Sequence, residues 1–361
     1  MKESYKSIFQ PLRLRSGKEL KNRIVMSPMG HLGSLPGGFI SEEELAYYDM
    51  RIKDVGMVIT SSTTVKKGEH YPGLPAVESD DHIPGLRKLS HLLKSHGAVA
   101  VMQLLHEGAN GAGEAPSAVT ADNPNYPVPR ELTDREIKDI IKNFGDAARR
   151  AIEAGFDGVE IHGANGFLIQ QFTSPHYNRR NDRWGGTPEK RLAFSLAVID
   201  EIKKVVADSG KPFIIGYRIS PEEAEANGLT MTETIRNVDI LADQGLDYIH
   251  VSLHDFWSKP RRGTDDTRSR MEILKDVIGE RTALIGVGGI KTPEDATKAL
   301  STGVELLAIA RGLLLDPRWV EKVREGNEDL IKKKLYRADN TDLRLPSGLW
   351  NMIENYIPFE D

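Results

Sequence analysis

One unit recurs along this 361-residue chain: an amphipathic helix, a glycine near its end, then a short apolar run. The clearest copy opens at Thr133-Asp-Arg-Glu136, where the threonine can cap the first turn and the glutamate can reach back to it. Ile137, Ile140, Ile141, Phe144, Ala148, Ala151 and Ile152 follow at helical spacing; Gly155 stops the helix, and Gly158-Val-Glu-Ile161 reads as a strand. The plan returns as Leu192 to Val206 before Phe213–Tyr217, Ile235 to Ala242 before Tyr248–Val251, and Met271 to Ile278 before Ala283–Val287. Thr292-Pro293 opens another helix, with proline at the first position, before Leu306–Ile309. Nearer the N-terminus, Arg23–Met26, Gly56–Thr60 and Val99–Met102 are strand-like, and helices are expected over 41–54 and 84–96. Eight βα units predict an α/β chain folded as a (β/α)8 TIM barrel. An open doubly wound sheet would alternate in the same way, but no G-x-G-x-x-G follows the first strand.

No linker rich in Gly, Ser or Pro divides the chain, so residues 1–361 are read as a single domain. Within it, residues 1–20 carry Leu12-Arg-Leu and Glu19-Leu around Ser16-Gly17, the pattern of an N-terminal hairpin sealing the barrel floor. Residues 106–131 form a long capping loop, a length that usually signals function. A C-terminal extension, 330–361, holds Trp350, Tyr356 and Phe359, to dock on its own barrel or on a neighbour. The net charge of −5 gives no reason to expect nucleic acid or membrane as a partner, and it leaves a homo-oligomer open. Cysteine is absent, which removes disulfides, iron–sulfur clusters, thiolate zinc sites and a catalytic thiol. The start, MKESYKSIFQPL, lacks a long apolar core and no window holds eighteen apolar residues, so a cytoplasmic location is expected.

The active site of such a barrel lies at the C-terminal ends of its strands. Two glycine-bearing ends, Gly286-Val-Gly288-Gly289-Ile290 and Ala308-Ile-Ala310-Arg311-Gly312, occupy the usual phosphate site after strands seven and eight. There backbone N–H groups can approach a phosphate and Arg311 can add a charged donor. The bland alternative is that these glycines only permit tight turns. Arg218, at another strand end, needs an anion: a bound ligand, or a carboxylate such as Glu160. His162 and Asn165, three apart at a strand exit, can donate to one oxygen and so polarise a carbonyl or hold a phenolate. His162, His250 and His254 lack the carboxylate or His-x-His company of a metal site, and no metal is expected.

Taken together, these segments resemble the old yellow enzyme family of FMN-dependent NAD(P)H oxidoreductases. The likeness rests on Asn22-Arg-Ile-Val-Met-Ser-Pro-Met29, Gln103-Leu-Leu-His-Glu-Gly108, Ala154 to Ala164, Ser174-Pro with Asn178 to Gly186, and Ala310-Arg-Gly-Leu-Leu314, in order over nearly the whole chain. It implies that Ser27, Pro28 and Met29 line one face of the FMN ring, with Ser62 at its edge and Gln103 on its pyrimidine. Arg218 would sit near N1 and the C2 carbonyl, and Gly289, Ala310 and Arg311, beside Gly288, would hold the phosphate. His162 and Asn165 would grip the substrate oxygen. The implied mechanism is ping-pong: NADH or NADPH reduces the flavin, and an acceptor then takes the same place and receives hydride from N5.

Two positions depart from the family pattern. Phe167 stands where many relatives carry a proton-donating tyrosine, so small-molecule electrophiles that need no such proton, quinones and nitro compounds, gain relative to α,β-unsaturated carbonyls. Tyr71 and Tyr177 are substitute donors by residue type alone. Gly30 replaces a Cys or Thr that tunes the flavin. Residues 254–270, with Trp257, Lys259, Arg261 and Arg262, match no pattern; they shape the nicotinamide or substrate mouth or form a solvated face, and the solvated face is the reading taken. Competing functions are a flavin-free barrel lyase or isomerase of a phosphorylated metabolite, and a flavin-binding protein with little turnover.

Overall fold

The structure is a computed structural model that describes residues 1–66, 68, 71–121, 126–336 and 342–353, with the backbone of 359–360. Eight parallel strands close on themselves: β1 (Ile24–Met26), β2 (Met57–Ile59), β3 (Val99–Leu105), β4 (Gly158–Gly163), β5 (Ile214–Ile219), β6 (Tyr248–Val251), β7 (Ala283–Val287) and β8 (Leu306–Ile309). Each pairs with its neighbours in sequence, and β8 pairs with β1, which closes the cylinder. The (β/α)8 reading is borne out. Almost every strand residue is buried, as it must be when side chains fill the lumen and helices cover the outside.

The main helices are α1 (Glu42–Asp49), α2 (Ile83–Lys94), α3 (Asp134–Glu153), α4 (Pro188–Ser209), α5 (Met231–Ala242), α6 (Arg270–Ile278), α7 (Pro293–Leu300) and α8 (Trp319–Glu325), with short helices at Leu168–Thr173, Arg311–Leu315 and Ser347–Ile353. The expected capping box of α3 forms in both directions between Thr133 and Glu136. α1 ends at Asp49, short of residue 54, because Arg51 turns inward and bonds the carbonyls of Tyr47 and Leu343. The chain then needs the remaining residues to reach β2. There a side chain on Gly56 would strike the Asn22 carbonyl at 2.5 Å.

At the floor, Leu12–Arg13 pairs antiparallel with Glu19–Leu20. Leu14 and Leu20 enter a lumen cluster with Val25, Met57, Val101 and Ile285. The hairpin is latched by Asp247, which accepts the Ser16 N–H at 2.7 Å and the Ile215 N–H at 2.9 Å. Residues 3–9 are no part of that hairpin. They form a 3-10 turn whose Tyr5 hydroxyl bonds Glu294 on α7. At the other end of the chain, Leu343, Leu345, Leu349 and Ile353 are buried against the chain's own barrel and Trp350 packs on it; Tyr356 and the Phe359 side chain lie outside the described residues. No helix among the described residues is long and apolar enough to cross a membrane.

Candidate active site

A cavity of about 770 Å³ opens at the C-terminal mouth of the barrel, within the usual range for a ligand site. Its wall includes Ser27 and Pro28 after β1, Asn165 after β4, Arg218 and Ser220 from the end of β5, and Ser252 after β6. Gly288, Gly289, Ala310 and Arg311, from the ends of β7 and β8, also line it. Met29, Ser62, Gln103, His162 and Phe167 are not in that wall. Met29 is half-buried and packs on the apolar core. His162 is level with Arg218 of the wall, the Phe167 ring meets His162, and Ser62 bonds Gln103, which bonds Glu160.

Arg218 is buried, and its Nε has no partner. One guanidinium N–H goes to Ser252 at 3.2 Å. The carboxylate alternative is not realised as a direct ion pair, because Glu160 is taken: one oxygen accepts from Gln103 at 2.6 Å and the other pairs with His250 Nδ1 at 3.0 Å. Ser62 donates to the Gln103 carbonyl oxygen at 2.5 Å, so the amide is held at both ends. A buried guanidinium donor left without an acceptor, lining a cavity, is costly unless a ligand completes it.

His162 lies level with Arg218 across the β4–β5 ladder. Burial first, then the Arg218 charge, pushes its pKa down to about 3, so the ring is neutral. Its Nδ1 accepts the Ala164 N–H at 3.3 Å, which leaves the proton on Nε2 as a donor. Asn165 adopts a left-handed φ of 57° and anchors its backbone N–H on Ser220 at 2.9 Å. Its Oδ1 accepts from Ser252 at 2.8 Å, so the amide NH2 is the group left to donate. Both residues are therefore set as neutral donors. The Phe167 ring stands edge-on to His162, 5.0 Å between centroids. Its loop is braced by Asn110 and Gln171, whose amides both donate to the Gly166 carbonyl, so the 106–131 loop buttresses this turn. None of its described residues lines the cavity.

At the opposite side, Gly288 and Gly289 have φ of 125° and 71°. A Cβ on Gly288 would meet the Phe256 backbone nitrogen at 2.5 Å, so that glycine is required. The solvated-face reading of 254–270 is corrected: His254, Asp255, Ser258, Arg261 and Arg270 line the cavity. The segment is held there by Phe256, whose backbone N–H bonds the Gly288 carbonyl and whose ring fills the space a Gly286 side chain would need. Trp257 lies under Lys298, and the Arg262 guanidinium bonds backbone carbonyls of Glu223 and Glu225. Sequence reasoning missed Ser220 and gave Glu160 no role beyond a possible Arg218 partner; period two along β4 places Glu160 on the face of His162, a signal that was available.

The sequence signature of the NADH:flavin oxidoreductase / NADH oxidase family matches residues 7–329. The chain belongs to that family. It is 47% identical, over the full length of both chains, to the probable NADH-dependent flavin oxidoreductase YqiG of Bacillus subtilis (strain 168). It is 39% identical to the NADH:acrylate oxidoreductase of Vibrio harveyi over 95% of this chain, a region that is only 35% of that protein. The solved structure of the old yellow enzyme homologue from Zymomonas mobilis superposes with a TM-score of 0.76 at 26% identity, covering 89% of this chain and 93% of that one. The resemblance to old yellow enzymes and the oxidoreductase class are borne out.

The cofactor of an NADH:flavin oxidoreductase is a flavin, typically FMN in this family, and its residues here fit one. The orphaned Arg218 Nε would suit the electron-rich edge of a ring, and the positive-φ glycines with Arg311 would suit a phosphate. At Gly30, where the family resemblance implies a larger residue, a Cβ would meet only Leu74 at 3.7 Å, so the space for one is open. Neither Tyr71 nor Tyr177 lines the cavity.

Proposed function

We propose that this chain is an FMN-dependent NADH oxidoreductase that reduces small electrophiles: quinones and nitro compounds readily, and α,β-unsaturated carbonyls without help from a tyrosine acid. One observation carries the reading. A buried guanidinium whose Nε has no partner lies in the wall of a cavity whose far wall carries Gly288, Gly289 and Arg311. NADH is favoured over NADPH as donor because both relatives described above are named for NADH.

The chemistry supplied by bound FMN is a two-electron relay between nicotinamide and acceptor. Gly288, Gly289, Ala310 and Arg311 would hold the phosphate, and Ser27 and Pro28 would line the ring. Gln103 has one amide hydrogen and one lone pair uncommitted after Ser62 and Glu160, enough to bond the pyrimidine. Arg218 would neutralise negative charge gathering on the ring edge. His162 Nε2 and the Asn165 amide would donate to the acceptor oxygen, polarising it without giving up a proton, since a ring with a pKa of about 3 is never imidazolium at neutral pH. Phe167 would exclude water beside that oxygen and supply no proton.

The protein should purify yellow or take up FMN when reconstituted. NADH should bleach it anaerobically, and a quinone should restore the colour. A chain that takes up no FMN, or holds it unreduced by NADH, would overturn the proposal.

A further inference from the structure

The lumen layer beneath the cavity holds one carboxylate, and nothing in the proposed chemistry uses it. Glu160 is fully buried, two register positions below His162, Arg218 and His250, and level with Gln103 on β3 and Gly216 on β5. Its two oxygens fix two neighbours: the Gln103 amide at 2.6 Å and the His250 ring at 3.0 Å. It makes no direct pair with Arg218, so the guanidinium stays available to a ligand while its charge is still balanced from below. Burial disfavours ionisation of Glu160, but His250, Arg218 and Gln103 outweigh it and hold the carboxyl below its ordinary range. Burial keeps His250 below its ordinary value, and His162 is neutral. Arg218 and Glu160 are thus opposite charges on neighbouring lumen levels, with the His250 ring on the carboxylate.

We propose that Glu160 is a positioning residue that lowers the flavin's reduction potential, by cancelling the charge of Arg218 and by orienting the Gln103 amide against the ring. The inference rests on the FMN reading above. A layer carrying only Arg218 would favour the anionic reduced ring more strongly; Glu160 moderates that preference, which keeps the reduced flavin a ready donor to weak acceptors.

The test is the two-electron midpoint potential of FMN-loaded protein, measured by equilibration against a reference dye. Glu160→Gln removes the charge and keeps the shape. It should shift the reduction equilibrium at least tenfold towards reduced flavin, about 30 mV for two electrons. Glu160→Asp, which restores the charge, should return at least half of that shift. A structural role alone would move both variants together, and that result, or an unchanged potential in Glu160→Gln, overturns the proposal. Should Glu160→Gln alone fail to fold, Arg218→Gln and the Arg218→Gln/Glu160→Gln double variant are compared instead, and the double variant should again have the higher potential by tenfold. Wild-type protein that takes up no FMN would sink the underlying reading rather than the role of Glu160.

Discussion

Lowering the pH from 7 to 5 separates the neutral His162 of this site from an ordinary histidine. Its pKa falls from 6.5 to about 3 because burial, then Arg218, opposes the imidazolium; the depression amounts to roughly 5 kcal/mol. A group whose folded pKa lies below its unfolded value is protonated first in the unfolded chain. Its contribution to stability is therefore complete above pH 6.5 and is lost as the pH falls towards 3. Between pH 7 and 5 that loss is about 2 kcal/mol from this residue alone. The assay is urea unfolding of wild type and His162→Gln across that interval. Their difference cancels the titratable groups remote from the site, and should change by about 2 kcal/mol in favour of the variant as the pH drops. Nitrogen-15 spectra of histidine-labelled protein give the direct readout: at pH 5 the His162 ring should show a bare Nδ1 and a protonated Nε2. Parallel unfolding curves together with an imidazolium signal at pH 5 would refute the reasoning, and with it the picture of two neutral donors over the flavin.

Three further outcomes are expected. Gly288→Ala forces a side chain into the Asp255–Phe256 backbone at a φ of 125° and should weaken FMN binding about tenfold or more by fluorescence titration, whereas Gly289→Ala, with nothing nearer than 3.7 Å, should cost less; equal affinities would contradict the cradle. Phe167→Tyr should raise the rate of enone reduction more than that of quinone reduction, and equal effects would place residue 167 away from the acceptor. Asp247→Ala removes the latch on two backbone N–H groups and should destabilise the fold by about 2 kcal/mol in urea without changing FMN affinity.

Much of the fold was legible because each barrel unit writes its own punctuation. The Thr133–Glu136 box and Gly155 bound α3, and the apolar runs of β4 to β8 are buried on both faces, so their sequence is continuous. What failed was local and depended on distant partners. α1 stops early because Arg51 finds the carbonyl of Leu343, almost three hundred residues away. Residues 3–9 bind α7 rather than the hairpin through Tyr5 and Glu294, and no periodicity of that segment could announce it. The 254–270 segment reads as solvated because it is polar, yet Phe256 pins it against Gly286 and Gly288, a fit visible only once β7 is in place.

The same logic explains which part of the site a linear reading reaches. Residue types at strand ends can nominate Arg218, His162 and Asn165, but they cannot say which of their hydrogen-bonding groups are already spent. Ser252 settles that for two of them at once, accepting from Arg218 and donating to the Asn165 carbonyl oxygen. The Asn165 amide then has only its NH2 to offer, and the Ala164 N–H imposes the equivalent choice on His162. With both donors neutral and Phe167 beside them, the proposed site would draw electron density towards an acceptor oxygen without delivering a proton from these positions. Acceptors should therefore be ranked by how little they depend on protonation, whatever their carbon skeleton. That ranking follows from three hydrogen bonds and one missing hydroxyl.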